Sequence, residues 1–299
     1  MHSLAPIVLF TFKRLDTLIL TVEALQKSKL AIHSDLIVFS DAGRNEKEEL
    51  AVAQVRNYIH TISGFRSVLI NEAEQNKGLA NSIIDGVTAI LDKHKSVIVL
   101  EDDLISSSNF LDFMNKSLDY YQNSNKVMAV CGFSFPYKTK IEDDVYFLNR
   151  FWPWGWATWA DRWEKADWTV ADYSSFKNDK KRQKQFSYLG SDVNAMLKKQ
   201  MDGKLDSWAI RWTYHIFKNK GIVLFPNSSK ISNEGFDEFA TNTVGLKDRY
   251  LTNIDTVNEV EFEFLKDCDI NSVRQKEFLN KFSLKERIKN KVREILLVR

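Results

Sequence analysis

The chain has 299 residues, 44% of them hydrophobic and 27% charged, and a formal net charge of +2 at pH 7. That length accommodates one large α/β domain or two small ones, and the near-neutral balance by itself argues neither for nor against nucleic acid. Two cysteines, Cys131 and Cys268, exclude a disulfide framework and a zinc-ligand spacing, so a reducing cytosol is the default compartment.

The first apolar run, Ile7–Phe12, is stopped by Lys13-Arg14. It is too short for a signal-peptide core or a membrane span and reads as a first strand. Four more apolar runs follow: Leu36–Phe39, Val68–Ile70, Val97–Leu100 and Val127–Val130. Helical candidates lie between them, over 15–28, 46–60, 78–93 and 109–122. In the third, Leu79, Ile83, Val87 and Ile90 fall on one face. This alternation predicts an α/β fold with a mostly parallel sheet covered by helices on both sides. No internal repeat is visible.

In such sheets ligands bind beyond the carboxyl ends of the strands. There the sequence places Lys13 and Arg14, then Ser40-Asp41-Ala42-Gly43, then Asn76-Lys77-Gly78, and after Val97–Leu100 the triplet Glu101-Asp102-Asp103. Three adjacent carboxylates at the end of a buried strand repel one another and need a cation. Oxygen ligands of this kind suit Mg²⁺ or Mn²⁺ shared with a phosphate-bearing substrate. The same tripeptide recurs as Glu142-Asp143-Asp144, but before its apolar run, where a solvated loop suffices. Neither a phosphate-loop signature nor a dinucleotide-binding Gly-x-Gly-x-x-Gly is present.

The second half differs in composition. All eight tryptophans lie between 152 and 212, most densely in Trp152-Pro153-Trp154-Gly155-Trp156. They either cap the sheet's apolar edge or offer ring faces to a sugar. Residues 173–204 read as a polar, Lys-rich helical insertion. A helix through Ile210–Phe217 and a strand at Ile222–Phe225 follow. The next loop contains Asn233, Gly235 and Asp237 and has the makings of a lid. Residues 281–299 carry seven Lys or Arg against Glu286 and Glu294, which is +5 and leaves −3 for residues 1–280. With an apolar stripe of Phe278, Phe282, Ile288, Val292, Ile295 and Leu296, this tail reads as a basic amphipathic helix. A membrane surface and packing on its own domain or on a partner are all open to it.

In this order the residues resemble GT-A glycosyltransferases. The likeness is closest to the N-acetylglucosaminyltransferase that initiates complex N-glycans and to bacterial family 2-like sugar transferases. It covers most of residues 6–240. The resemblance implies a Rossmann-like domain over 1–265, with a nucleotide-sugar-binding half (1–150) and an acceptor half with a lid (151–265), followed by the tail 266–299. It assigns the donor to Phe12, Arg14, Asp41, Lys77, Glu101 and Asp102, with Asp41 toward the uracil base, and the metal, Mn²⁺ or Mg²⁺, to Asp103. Trp154, Gly155, Trp156 and Trp208 would face the acceptor. Leu205-Asp206-Ser207-Trp208 is similar to a Trp-Asp-Asp-Trp motif whose first Asp is the catalytic base, which makes Asp206 the base. Leu205 and Ser207 depart from that motif, so the identities of sugar and acceptor are not carried over.

The expectation is thus a metal-dependent inverting transferase using a UDP-sugar and a saccharide acceptor, lipid-linked or free. Its expected product is a bacterial surface polysaccharide. The expected place is the cytoplasm, peripherally on the inner membrane face, with no nucleic-acid partner. Two alternatives stand beside it. A sugar nucleotidyltransferase would usually carry a Gly-rich loop after the first strand, which Thr11-Phe12-Lys13-Arg14-Leu15 lacks. A non-catalytic carbohydrate-binding protein would explain the tryptophans but not the acidic triplet.

Overall fold

The structure is a computed structural model that describes residues 4–235 and 250–297, the last four as backbone only. Its strands are β1 (Ile7–Thr11), β2 (Asp35–Ser40), β3 (Ser67–Glu72), β4 (Ser96–Glu101), β5 (Leu104–Ser106), β6 (Val127–Cys131), β7 (Val145–Leu148), β8 (Trp156–Trp159), β9 (Ile222–Pro226) and β10 (Ile231–Asn233). The helices are α1 (Leu15–Gln26), α2 (Glu46–Ile59), α3 (Leu79–Leu91), α4 (Phe110–Tyr121), α5 (Ala160–Trp163), α6 (Tyr173–Phe176), α7 (Lys180–Ser187), α8 (Val193–Met201), α9 (Trp208–Lys218), α10 (Ser272–Lys281) and α11 (Leu284–Leu297).

Eight strands form one sheet in the order β3-β2-β1-β4-β8-β6-β9-β7. The first four are mutually parallel, β8 runs against both β4 and β6, and β7 runs against β9. The α/β, mostly parallel layout expected from the sequence is the one found. Val97, Ile98, Val99 and Leu100 of β4 are all at 0% exposure, as a strand covered by helices on both faces requires. Burying each such side chain stabilises by about 1.5–3 kcal/mol.

The strand β8 went unforeseen. Trp156-Ala157-Thr158-Trp159 is short and buried at every position, so it shows no alternation. Its antiparallel course has a consequence for function: β6 ends up parallel to β4, and the loops leaving β1, β2, β4 and β6 open onto one rim. β9 runs parallel to β6, and the chain returns from it through β10, which pairs with β5 directly after the acidic triplet.

Strands on both sides of residue 150 share this sheet, and one core extends from Ala5 to Phe282. Residues 173–204 are not simply solvated. Phe176, Phe186, Leu189, Val193 and Leu197 close a small second core with Ile210 and Tyr214 of α9. The expected tail is divided. In and just after α10, Phe278 and Phe282 are 0% and 3% exposed and pack on Phe135. Arg274 donates to the Thr139 carbonyl and to Asn227 Oδ1, both at 2.6 Å. Aromatic contact, not a membrane, therefore takes up the first part of the expected apolar stripe.

Candidate functional site

A cavity of about 150 Å³ opens at the rim, between the ends of β1, β2 and β4 and the start of α3. Phe12, Arg14, Asp41, Glu101, Asp102, Asp103 and Gly235 all line it. Topology brings these seven residues, dispersed in sequence, to one place.

The triplet's side chains diverge. Asp102 Oδ2 accepts from Thr11 Oγ1 at 2.8 Å and from the Phe12 amide at 3.0 Å, which fixes the first loop. Asp103 Oδ2 lies 3.6 Å from Arg14 Nη1. Burial, then repulsion from Asp103 and Asp102, pushes Glu101 well above the ordinary carboxylate range. Burial raises Asp102 too, against the opposing bonds from Phe12 and Thr11 and the charge of Arg14. Among the described residues no three His, Cys, Asp or Glu converge on one point, so the triplet is not a three-ligand cage. The donor set fits another arrangement, because Mg²⁺ and Mn²⁺ commonly take one or two protein carboxylates and fill their shell with phosphate oxygens and water. Asp103, on the cavity wall beside a guanidinium, is the carboxylate placed for that.

Gly235 is tied to the same carboxylate. A Cβ added there would stand 2.0 Å from Asp103 Oδ2, so only glycine allows this approach. Asn233 Oδ1 accepts from the Gly235 amide at 2.7 Å, and the Glu234 amide donates to the Asp103 carbonyl at 2.9 Å. Two of the expected lid residues thus form a strut against the triplet, while Asp237 lies outside the described residues.

The segment after β2 is organised by Asp41. Its carboxylate accepts from the amides of Ala42, Lys77 and Gly78 and from Asn76 Nδ2, at 2.9–3.2 Å. Four donors use up the acceptor capacity of two carboxylate oxygens, so Asp41 acts by holding the 76–78 turn. This corrects the expectation that it reads a base directly. Lys77 is not in the cavity wall; its ammonium sits 3.6 Å from Asp85 and is half exposed. Gly78 adopts φ +75° at the head of α3, a conformation that a side chain would strain.

Arg44 was not foreseen. It lines the cavity, stacks over Phe12 at 5.5 Å and forks onto Glu48, which Lys13 also grips at 2.7 Å. Those two cations, Arg44 first, pull Glu48 down to about 2. The only sequence signal for Arg44 is its place right after Ser40-Asp41-Ala42-Gly43.

Asp206 does not line the cavity but stands next to it: its Oδ2 lies 3.8 Å from where a Cβ on Gly78, a lining residue, would be. Asp206 is exposed, with Arg211 Nη2 at 3.4 Å. It does not cap α9. Ser207 does, accepting from the Ile210 amide at 3.4 Å. Arg211 was also missed; it lies on α9 five residues after Asp206, and only the turn of the helix brings its guanidinium back to the carboxylate.

The tryptophans divide differently from the expectation. Trp156 and Trp208 are 1% and 3% exposed and stack on each other with centroids 4.9 Å apart, and Trp163 lies against Trp156 at 5.5 Å. Rings enclosed in this way present no face to an acceptor, so their acceptor role is withdrawn in favour of packing β8 against α9. Gly155, at φ +56°, serves close packing: a Cβ would stand 2.6 Å from Ile231 Cγ1 of β10. Trp154 is 8% exposed and packs edge-on against Phe133 at 4.6 Å. Trp154 too belongs to the core, with Trp152 and Tyr250 at 5.5 and 5.4 Å.

No protein-family model matches the chain, and no curated protein matches it. Among solved structures, it is similar to S. aureus TarS, with TM-score 0.32 and 11% identity over 48% of this chain and 24% of that one. It is also similar to S. aureus TarS 1-349, with TM-score 0.43 and 7% identity over 77% and 60%. A third is the mannosyltransferase PcManGT from Pyrobaculum calidifontis in complex with GDP-Man and Mn²⁺, with TM-score 0.30 and 13% identity over 42% and 37%. The chain spans between 24% and 60% of the length of these proteins. At such values the likenesses carry no argument about activity, which rests on the site itself.

Proposed function

We propose that the protein is a GT-A-type glycosyltransferase that moves a sugar from a nucleotide-sugar, a UDP-sugar, to a saccharide hydroxyl. The observation that carries this reading is the cavity with an acidic triplet and Arg14 in its wall, and with Asp206 just outside it, next to the Gly78 that lines it. In this reading the donor's base lies along Phe12 and Arg44, over the turn that Asp41 holds. Its diphosphate faces Arg14 and Asp103. A divalent cation, Mn²⁺ or Mg²⁺, would be held by Asp103 and would neutralise charge building on the leaving nucleotide. Glu101 and Asp102 border the sugar and ribose, and Asp102 at the same time locks the first loop to β4.

Asp206 takes the proton of the acceptor hydroxyl as that oxygen attacks the anomeric carbon. One displacement of this kind inverts the anomeric configuration. Arg211 Nη2, 3.4 Å from Asp206 Oδ1, orients the carboxylate. The product class is a bacterial surface polysaccharide, made on the cytoplasmic side.

The test is thermal unfolding with a panel of nucleotide sugars, with and without Mn²⁺. A bound donor stabilises by mass action, about 2.7 kcal/mol at a hundred times Kd. A UDP-sugar should raise Tm only when the cation is present, and the same donor should label a saccharide acceptor with inversion. A panel in which no nucleotide sugar shifts Tm, or a product that retains the donor's anomeric configuration, overturns the reading.

A further inference from the structure

The helix α11 spans 14 residues and holds five cations, Lys285, Arg287, Lys289, Lys291 and Arg293, against Glu286 and Glu294. Leu284, Ile288 and Val292 are 63%, 56% and 50% exposed. At 100° per residue these three fall within about 80° of arc, one above another on a single face. Lys285 and Lys289 border that arc on one side and Lys291 on the other. The helix is held to the body from elsewhere on its circumference: Arg287 Nη1 donates to the Ser191 carbonyl at 3.1 Å and to Ser191 Oγ at 3.2 Å. Its N-terminal end follows from α10, which the buried Phe278 and Arg274 clamp to the core.

We propose that α11 docks the protein onto an anionic phospholipid surface, with Leu284, Ile288 and Val292 inserted among the headgroups and the flanking lysines on the lipid phosphates. Charge decides the occupant. A narrow stripe with long cations on both edges matches a headgroup layer, where lysine stems lie along apolar surface and ammoniums reach the anions. The placement has a consequence at the rim. Phe278 and Phe282 seat α10 on Phe135, in the loop that leaves the carboxyl end of β6, the end that faces the same way as the triplet's end of β4. An acceptor carried on a lipid would then reach the cavity without leaving the surface; this last point rests on the transferase reading, while the docking does not.

The test is sedimentation of the full chain with phosphatidylcholine vesicles, with and without phosphatidylglycerol. Partitioning should be at least about tenfold stronger with phosphatidylglycerol and should weaken as salt rises, because each cation near such a surface favours binding severalfold. The paired change Ile288→Glu and Val292→Glu should cut it about tenfold. The triple change Lys285→Gln, Lys289→Gln and Lys291→Gln should abolish the preference for anionic vesicles. Both variants touch exposed side chains only and should keep the wild-type Tm. Wild-type protein that ignores both vesicle types, binds them equally, or self-associates through α11 instead would overturn the proposal, as would variants that bind like the wild type. Donor-induced Tm shifts are read separately, so failure of the docking is distinguishable from failure of the transferase reading.

Discussion

The molecule contains the tripeptide Glu-Asp-Asp twice, with opposite outcomes. Glu101-Asp102-Asp103 begins on the last residue of the inner strand β4, is partly buried, and lines a cavity with Arg14. Glu142-Asp143-Asp144 precedes β7, the last strand of the sheet, and is exposed throughout. Its work is local: the Asp144 carbonyl accepts from the Asn227 amide at 2.7 Å, and Asp144 Oδ2 from the Glu263 amide at 2.9 Å. Identical chemistry thus becomes a candidate cation site in one place and loop fastening in the other. The difference lies in which end of which strand bears the charges. Partial burial removes water from the first set and makes its mutual repulsion costly, whereas the second set remains hydrated.

That contrast can be broken by mutation, and the largest effect should come from its centre. Asp103→Ala should cut turnover by about a thousandfold or more, since cation-assisted charge stabilisation is worth several kcal/mol, while Asp144→Ala should leave turnover unchanged. Comparable losses in both variants would erase the distinction.

A second pair separates chemistry from capping at α9. Asp206→Asn should retain donor-induced stabilisation but lose roughly 10²–10⁴ in kcat, as expected for a missing general base. Ser207→Ala should do the reverse, keeping kcat and costing about 1 kcal/mol of stability through the lost cap. If Asp206→Asn stays fully active, the base lies elsewhere.

Acid sensitivity needs care, since a loss of activity at low pH could be misread as protonation of the triplet. Burial pulls His215 down to about 4, where it stacks on Trp212 with centroids 5.2 Å apart. A histidine depressed in the fold is held neutral, so its contribution to stability is complete above its unfolded value near 6.5 and is lost as pH falls toward 4. We expect on the order of 2 kcal/mol of lost stability across that window. His215→Gln should flatten the slope in denaturant melts at pH 4–7, and an unchanged slope would assign it to other groups.

The smallest effect concerns the cost of the first triplet. Glu101→Gln removes a partly buried charge next to two others and should raise stability by on the order of 1 kcal/mol. Glu142→Gln, on the hydrated copy, should stay within about 0.5 kcal/mol of wild type. Melting curves without ligand make the comparison.

Much was legible in the chain itself, for physical reasons. A short, β-branched apolar run such as Val97–Leu100 favours a buried strand, and α3 and α4 run close to their expected spans because one-sided apolar spacing favours a helix. The strand-end rule put Arg14, Asp41, Glu101, Asp102 and Asp103 on one rim and the family resemblance added Phe12, whereas Gly235 was expected only in a lid loop and its contact with Asp103 came from the fold. What the sequence left undecided were matters of orientation and partner. A tryptophan reads the same whether its ring faces a sugar or, as with Trp156 and Trp208, another ring. Asp41 has one spelling whether it meets a ligand or four donors of its own chain, and Phe278 looks like Ile288 until one is buried under Phe135 and the other left outside. Side-chain direction and long-range contact are set by packing between segments far apart in sequence, and only the tertiary structure supplies them.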